Sequence, residues 1–244
     1  MRLGVKPGQI GLSVSELRRC WREAEDAGFE SIWTFDHLTL VDGRPMYEAT
    51  ALLAAMAVVT TRPRIGCLVL SNGTRGVESL AATAATIDAL SGGRLELGIG
   101  MASEFARRDF DALGLDFGAW STRSARLARA VERLIELTGP GSTLAAQPIQ
   151  SPVPLILGGR SREVRELAIE RGLSWNLSSE SAAEFIELKT GQPDAQAQVF
   201  LKSTPSVADA VAEYRASGAT RLVLVMEPPI EPGAVTRLAR SAGL

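Results

Sequence analysis

Short apolar runs, each followed by a longer helical pattern, recur eight times along the 244 residues. That alternation constrains the fold more than any other feature of the chain. Strands joined through helices run parallel, because each helix returns the chain to the starting edge of the sheet. Strands are predicted over Leu3–Lys6, Glu30–Phe35, Arg64–Leu70, Arg94–Ile99, Pro154–Leu157, Ser174–Leu177, Gln198–Leu201 and Arg221–Met226. Helical patterns fall between them: from Ser13 or Ser15 to Ala27, Tyr47–Thr60, Val77–Leu90, a broken region over Phe105–Leu113 and Ser121–Leu137, Ser161–Arg171, Ala182–Lys189, Ser206–Ser217 and Ala234–Ser241. In the first of these, Leu17, Cys20, Trp21 and Ala24 share one helical face, and Gly28 stops it. Pro63 bars continuation of the second. Eight units close a (β/α)8 TIM barrel, whose usual size is about 250 residues. The competing open, doubly wound sheet carries a GxGxxG turn after its first strand; here that turn reads Pro7-Gly8-Gln9-Ile10-Gly11. No linker or low-complexity stretch divides the chain, so residues 1–244 are read as one α/β domain.

Charge and composition narrow the function. With 26 basic against 28 acidic side chains and a net charge of −2, the chain has no basic footprint for nucleic acid or an anionic membrane. Its longest apolar run, Ala51–Val59, falls well short of the ~18 residues that cross a bilayer. The segment Met1–Gly8 has no charged-then-apolar leader, and a cytoplasmic protein is expected. Cys20 and Cys67 lie far apart and outside any CxxC pattern. A single histidine excludes a multi-histidine zinc site and any mechanism that needs two histidines, so no metal is expected. Of the 26 basic residues, 23 are arginine, which a GC-rich genome explains.

In a barrel of this kind the reactive groups gather at the C-terminal ends of the strands. Strand two ends in Asp36-His37. His37 is the only side chain that titrates near neutral pH without help, and a carboxylate stands next to it; the pair suggests one group that holds a ligand and one that moves a proton. A lone histidine is more often simply a satisfied loop or core residue. Strand three runs out through Ser71, Asn72, Thr74 and Arg75, which offer hydrogen bonds and a fixed positive charge suited to phosphate or carboxylate; a solvated polar loop is the plain alternative. Strand four places Glu96, Gly98 and Gly100 on one face, where the glycines leave room for something flat or mark tight packing. Glu104 and Asp109 follow as candidate carboxylates. Strand five ends Gly158-Gly159-Arg160-Ser161 and opens a helix. Its glycines let backbone N–H groups approach an anion, the helix N-terminus adds partial positive charge, and Ser161 adds a hydroxyl. An ordinary strand-to-helix turn reads the same way.

At these positions the chain resembles the bacterial luciferase-like superfamily, (β/α)8 enzymes that bind FMN or the deazaflavin coenzyme F420. The resemblance runs over nearly the whole chain. It is carried by Ala24-Glu25-Asp26-Ala27-Gly28-Phe29-Glu30-Ser31-Ile32-Trp33 with Asp36-His37, and by Leu80 to Gly100, including Ser91-Gly92-Gly93-Arg94. Gly158-Gly159, Trp175-Asn176, Thr204-Pro205-Ser206-Val207 and Ser217-Gly218-Ala219 continue it. The resemblance implies that Asp36 and His37 lie against the cofactor ring, with His37 as proton acid and base. It implies a non-proline cis peptide at Leu68-Val69, as a bulge that backs the ring. It implies that Gly158 and Gly159 hold the cofactor phosphate, with Asn176 near the polar tail. A carboxylate after strand four acts in some members, and Glu104 is assigned that role.

The resemblance therefore implies an F420-dependent oxidoreductase that exchanges a hydride with a small organic substrate. The alternative is an FMN-dependent monooxygenase, in which reduced flavin reacts with oxygen. The expected binding residues are Asp36, Leu68, Val69, Ser71, Gly100, Gly158, Gly159, Arg160, Ser161 and Asn176, with His37 and Glu104 catalytic. The family's habit of pairing implies a homodimer. The chain departs from the pattern in its shorter segment between Asn176 and Lys202, in its shorter loops after strands one and four, and in Leu173-Ser174 where relatives often read Asp-Gly. Those loops usually cover the substrate, so the pocket is open or is completed by a neighbouring subunit. A cofactor-binding protein without turnover is a third reading. A sugar-phosphate barrel enzyme is a fourth, and it leaves the Asp36-His37 and Ser91-Arg94 matches unexplained.

Overall fold

The computed structural model of the chain describes residues 1–39, 42–179, 181–204 and 206–244. Pro205, within the Thr204–Val207 segment noted above, lies outside them. Eight parallel strands pair in chain order and close on themselves: β1 (Arg2–Pro7), β2 (Ser31–Thr34), β3 (Arg64–Ser71), β4 (Leu95–Gly100), β5 (Leu155–Gly158), β6 (Ser174–Ser178), β7 (Ala195–Phe200) and β8 (Arg221–Met226). The closing pair runs from Arg2 opposite Arg221 to Pro7 opposite Met226. The helices that cover the barrel are α1 (Val14–Asp26), α2 (Ala49–Val59), α3 (Val77–Ser91), α4 (Arg107–Ala112), α5 (Trp120–Thr138), α6 (Arg162–Arg171), α7 (Ala182–Leu188), α8 (Val207–Ala216) and α9 (Ala234–Ala242). The (β/α)8 barrel is thus confirmed. Ser13 caps α1: its hydroxyl accepts from the Glu16 N–H while the Glu16 carboxylate accepts from the Ser13 N–H, a box of the kind worth about 1 kcal/mol. Among the described residues no helix is long and apolar enough to cross a membrane.

Alternation along the strands sorts their side chains into two layers. Leu3 and Val5, Leu95, Leu97 and Ile99, and Leu222 and Leu224 point outward and join the helices in one large apolar cluster. Inside the barrel a smaller cluster holds Trp33, Leu68, Ile156 and Val223, with Val69 against it. Trp33 fits because its neighbours are small: a Cβ on Gly4 would stand 2.9 Å from the indole Nε1, and one on Gly66 would stand 2.4 Å from its ring.

Two expectations change here. The seventh strand covers Ala195–Phe200 instead of Gln198–Leu201. Gln196 and Gln198 face the interior and hydrogen-bond Arg221 and Lys6 there, so inward polar residues hid the true start of the strand. The glycines of β4 and β5 do leave room, but the β3 bulge fills it. The register of β3 on β4 shifts between Cys67 and Leu70, and the Leu68-Val69 peptide is cis. A Cβ on Gly98 would meet the Cys67 carbonyl oxygen at 2.0 Å, and Cβ atoms on Gly100 and Gly158 would meet the Val69 methyls at 2.7 and 2.4 Å.

Candidate active site

At the C-terminal end of the barrel a cavity of about 340 Å³ opens over the bulge, within the range of small-molecule sites. Asp36, His37, Leu68, Val69, Ser71, Gly100, Gly158, Gly159, Arg160, Ser161 and Asn176 all line it. The structure therefore brings every expected binding residue, and His37, to one place. Glu104 is the exception. It begins a short 3₁₀ turn (Glu104–Ala106), its side chain is 67% exposed, and it pairs with Arg107 at 2.8 Å. It does not line the cavity.

The carboxylate that meets His37 is Asp109, on the α4 helix that follows. Its Oδ2 stands 3.5 Å from His37 Nδ1, an ion-pair distance longer than a closed hydrogen bond. Its Oδ1 accepts from the Thr39 N–H at 2.9 Å and the Thr39 hydroxyl at 2.5 Å. The Phe105 ring abuts the imidazole edge-on, with centroids 4.8 Å apart. Burial lowers the His37 pKa below its ordinary value, and Asp109 opposes that fall. The shift favours the uncharged imidazole, the form that can accept a proton at the cavity wall.

Asp36 and Arg75 are committed to each other. Arg75 donates to both carboxylate oxygens of Asp36, at 2.8 and 2.7 Å, and also bonds Glu48. Asp36 accepts in addition from the Ser71 N–H at 2.9 Å. The charge of Arg75, which in the sequence suits a phosphate, is neutralised internally and locks the strand-three loop to the end of strand two. Asp36 thus shapes the wall more than it offers a free acceptor.

On the opposite wall Ser161 caps α6 by accepting from the Val164 N–H. Gly159 adopts φ +142°, and its N–H donates to the Asn176 carbonyl. Arg160 reaches the Ser178 carbonyl and Glu184. Asn176 is 2% exposed, and its amide Nδ2 has no hydrogen-bond partner among the described residues. An orphaned buried donor beside a helix N-terminus is the chemistry expected where an anionic, polar tail lies. Residues that sequence reasoning missed include Met101, Ser103 and Trp120, which line the mouth, and Gln198, which lies deeper. The lysine at position 6, a charge in an otherwise apolar strand and one of three lysines in the chain, was the signal available for the deeper part.

Comparison with known proteins shows the family and the fold. The family model described as "Luciferase-like monooxygenase" matches residues 1–226. An uncharacterized protein of Mycobacterium tuberculosis is 29% identical over 134 residues, covering 50% of this chain and 44% of that protein. A 5,10-methylenetetrahydromethanopterin reductase of Archaeoglobus fulgidus is 27% identical over 170 residues, covering 64% and 47%. The matches thus span less than half the length of these relatives. Among solved structures, an F420-dependent secondary alcohol dehydrogenase in complex with an F420–acetone adduct superposes with a TM-score of 0.84 at 13% identity, covering 99% of this chain and 98% of that one; at that identity the likeness is one of fold. The chain belongs to the luciferase-like monooxygenase family.

Proposed function

From membership of the luciferase-like family we infer that this oxidoreductase uses coenzyme F420 to move a hydride to or from a carbon of a small organic substrate. One observation carries the reading: the only histidine of the chain lines the cavity, with a buried carboxylate 3.5 Å from its Nδ1. Coenzyme F420, when bound, supplies the hydride exchange at its ring C5. The residues of the chain supply position and proton handling. Leu68 and Val69 form an apolar wall for one ring face, and the Asn176 amide and the first turn of α6 suit the phosphate-bearing tail. His37 gives or takes the proton that accompanies the hydride, and Asp109 steadies the imidazole as it becomes charged. Acid-base help of this kind is worth about 10² to 10⁴ in rate. The name of the F420-dependent secondary alcohol dehydrogenase supports the deazaflavin over FMN. The assembly proposed with this reading is a homodimer, which sedimentation velocity reads directly.

Titration of the purified protein with F420 and, separately, with FMN tests the reading. Saturable F420 binding that quenches the cofactor's fluorescence is the expected result. Tight FMN binding with substrate-dependent oxygen uptake would replace it with the monooxygenase. Binding of neither ring would overturn it.

A further inference from the structure

The floor of the cavity rests on a buried lysine. Lys6, near the end of β1, turns into the barrel and is 0% exposed. Its ammonium makes three contacts: it donates to the Leu68 carbonyl at 2.7 Å and to Gln198 Oε1 at 2.9 Å, and it lies 3.9 Å from the centroid of the Phe35 ring. Leu68, Gln198 and Phe35 all line the cavity. The Gln198 atom set against Nζ is the carbonyl oxygen, the orientation that a protonated lysine, with donors and no acceptor, requires of the amide. The other end of that amide, the Nε2 N–H₂ group, makes no hydrogen bond to another described residue; the one bond of the side chain runs through Oε1 to Lys6. Gln198 stands on β7 opposite Ser178 of β6, which also lines the cavity. One end of the glutamine is pinned below the floor, and the end left over is a donor.

We propose that Gln198 and Lys6 form a donor subsite at the floor of the cavity for a carbonyl oxygen of the bound ring, with Gln198 as the binding residue and Lys6 as the residue that positions it. The proposal rests on the reading of this cavity as the ring site. It accounts for a costly arrangement: a lysine buried among apolar neighbours without a carboxylate is unfavourable unless its hydrogen bonds serve something. It also specifies the ligand. The deep end of the ring carries an acceptor, and an oxygen with partial or full negative charge is preferred because the ammonium lies one side chain beneath it.

The test uses whichever of F420 and FMN the parent binds, and reads both affinity and the ring-carbonyl stretch of the bound ligand by Raman spectroscopy. Gln198→Leu is expected to weaken binding about tenfold and to return the carbonyl band toward its free position. Gln198→Glu keeps the contact with Lys6 as an ion pair but presents no N–H, so it covers the case in which Gln198→Leu fails to fold and must show the same loss. Lys6→Met releases the amide and is expected to weaken binding less, with a broadened band. Variants that bind as tightly as the parent with an unmoved band would overturn this inference and leave the proposed function standing. A parent that binds neither ring would overturn both.

Discussion

Each end of the barrel interior buries a cation completely, and the two are treated in opposite ways. At the N-terminal end Arg221 bonds Glu96 through two nitrogens at 2.6 and 3.0 Å, and Glu30 through two more contacts at 3.0 Å. Gln196 takes a further hydrogen bond, and Arg64 shares Glu96. Every charge there has an opposite, and none of these residues lines the cavity at the other end. At the C-terminal end Lys6 has carbonyl oxygens and an aromatic face for company but no carboxylate partner among the described residues, and burial brings its pKa down to about 7. Between the two lies the apolar layer of Trp33, Leu68, Ile156 and Val223. The difference separates a structural plug from a functional floor. A buried charge that is fully paired closes the barrel, whereas one left short of a partner stands where something else is to arrive.

The largest effects come from breaking each end. His37→Ala should lower turnover by about 10² to 10⁴ while leaving the denaturation midpoint close to that of the parent, as steady-state assays with F420 and a urea titration would show. Arg221→Met should do the reverse. It strands Glu96 and Glu30, and loss of one member of a buried pair costs about 3–5 kcal/mol, read as a lowered urea midpoint with cofactor affinity retained in the folded protein.

Lys6→Met sharpens the contrast, because here removal of a buried cation should stabilise. In the parent the folded pKa falls from 10.5 to about 7. Between those values the unfolded chain binds more protons than the folded one, so stability rises with pH across that window. Below about pH 7 both states are protonated, and the cost of the buried charge is present in full. The variant should accordingly gain about 1–3 kcal/mol near pH 6, after the loss of two hydrogen bonds is set against the relief. The rise of stability between pH 7 and 10 should be flatter than in the parent. Thermal midpoints across that range check both statements.

The smallest effects separate the two candidate carboxylates. Asp109 opposes the downward shift that burial imposes on His37, so Asp109→Asn should move the histidine's titration to lower pH still, as followed by the single imidazole C2–H resonance. Glu104→Gln should leave that titration in place and change stability by less than about 0.5 kcal/mol, as expected of an exposed ion pair.

Much of this arrangement was legible in the sequence, for physical reasons. Strand-helix alternation follows from local patterning, so the barrel and seven of its strands could be placed from apolar runs and their punctuation. The Asp36-His37 strand end and the Gly158–Ser161 turn were legible because the fold puts strand ends at the mouth. What escaped depends on long-range pairing. Nothing local says that Arg75 is spent on Asp36 and Glu48, or that the room left by Gly98, Gly100 and Gly158 is taken by the Cys67 carbonyl and Val69. The choice between Glu104 and Asp109 turns on how a short helix docks, which places one against His37 and leaves the other in solvent. The seventh strand was misplaced because Gln196 and Gln198 break its apolar run, and they do so in order to meet Arg221 and Lys6 inside the barrel.

The central claim is that His37 stands against a ring bound in this cavity, and the chain's one histidine makes it directly observable. The C2–H resonance of His37 should be followed by NMR while F420 is added to saturation. The account predicts a shift of that resonance that saturates with the cofactor's own fluorescence change, together with a moved titration midpoint in the complex. A resonance that stays in place, with an unchanged titration, while F420 demonstrably binds would contradict it.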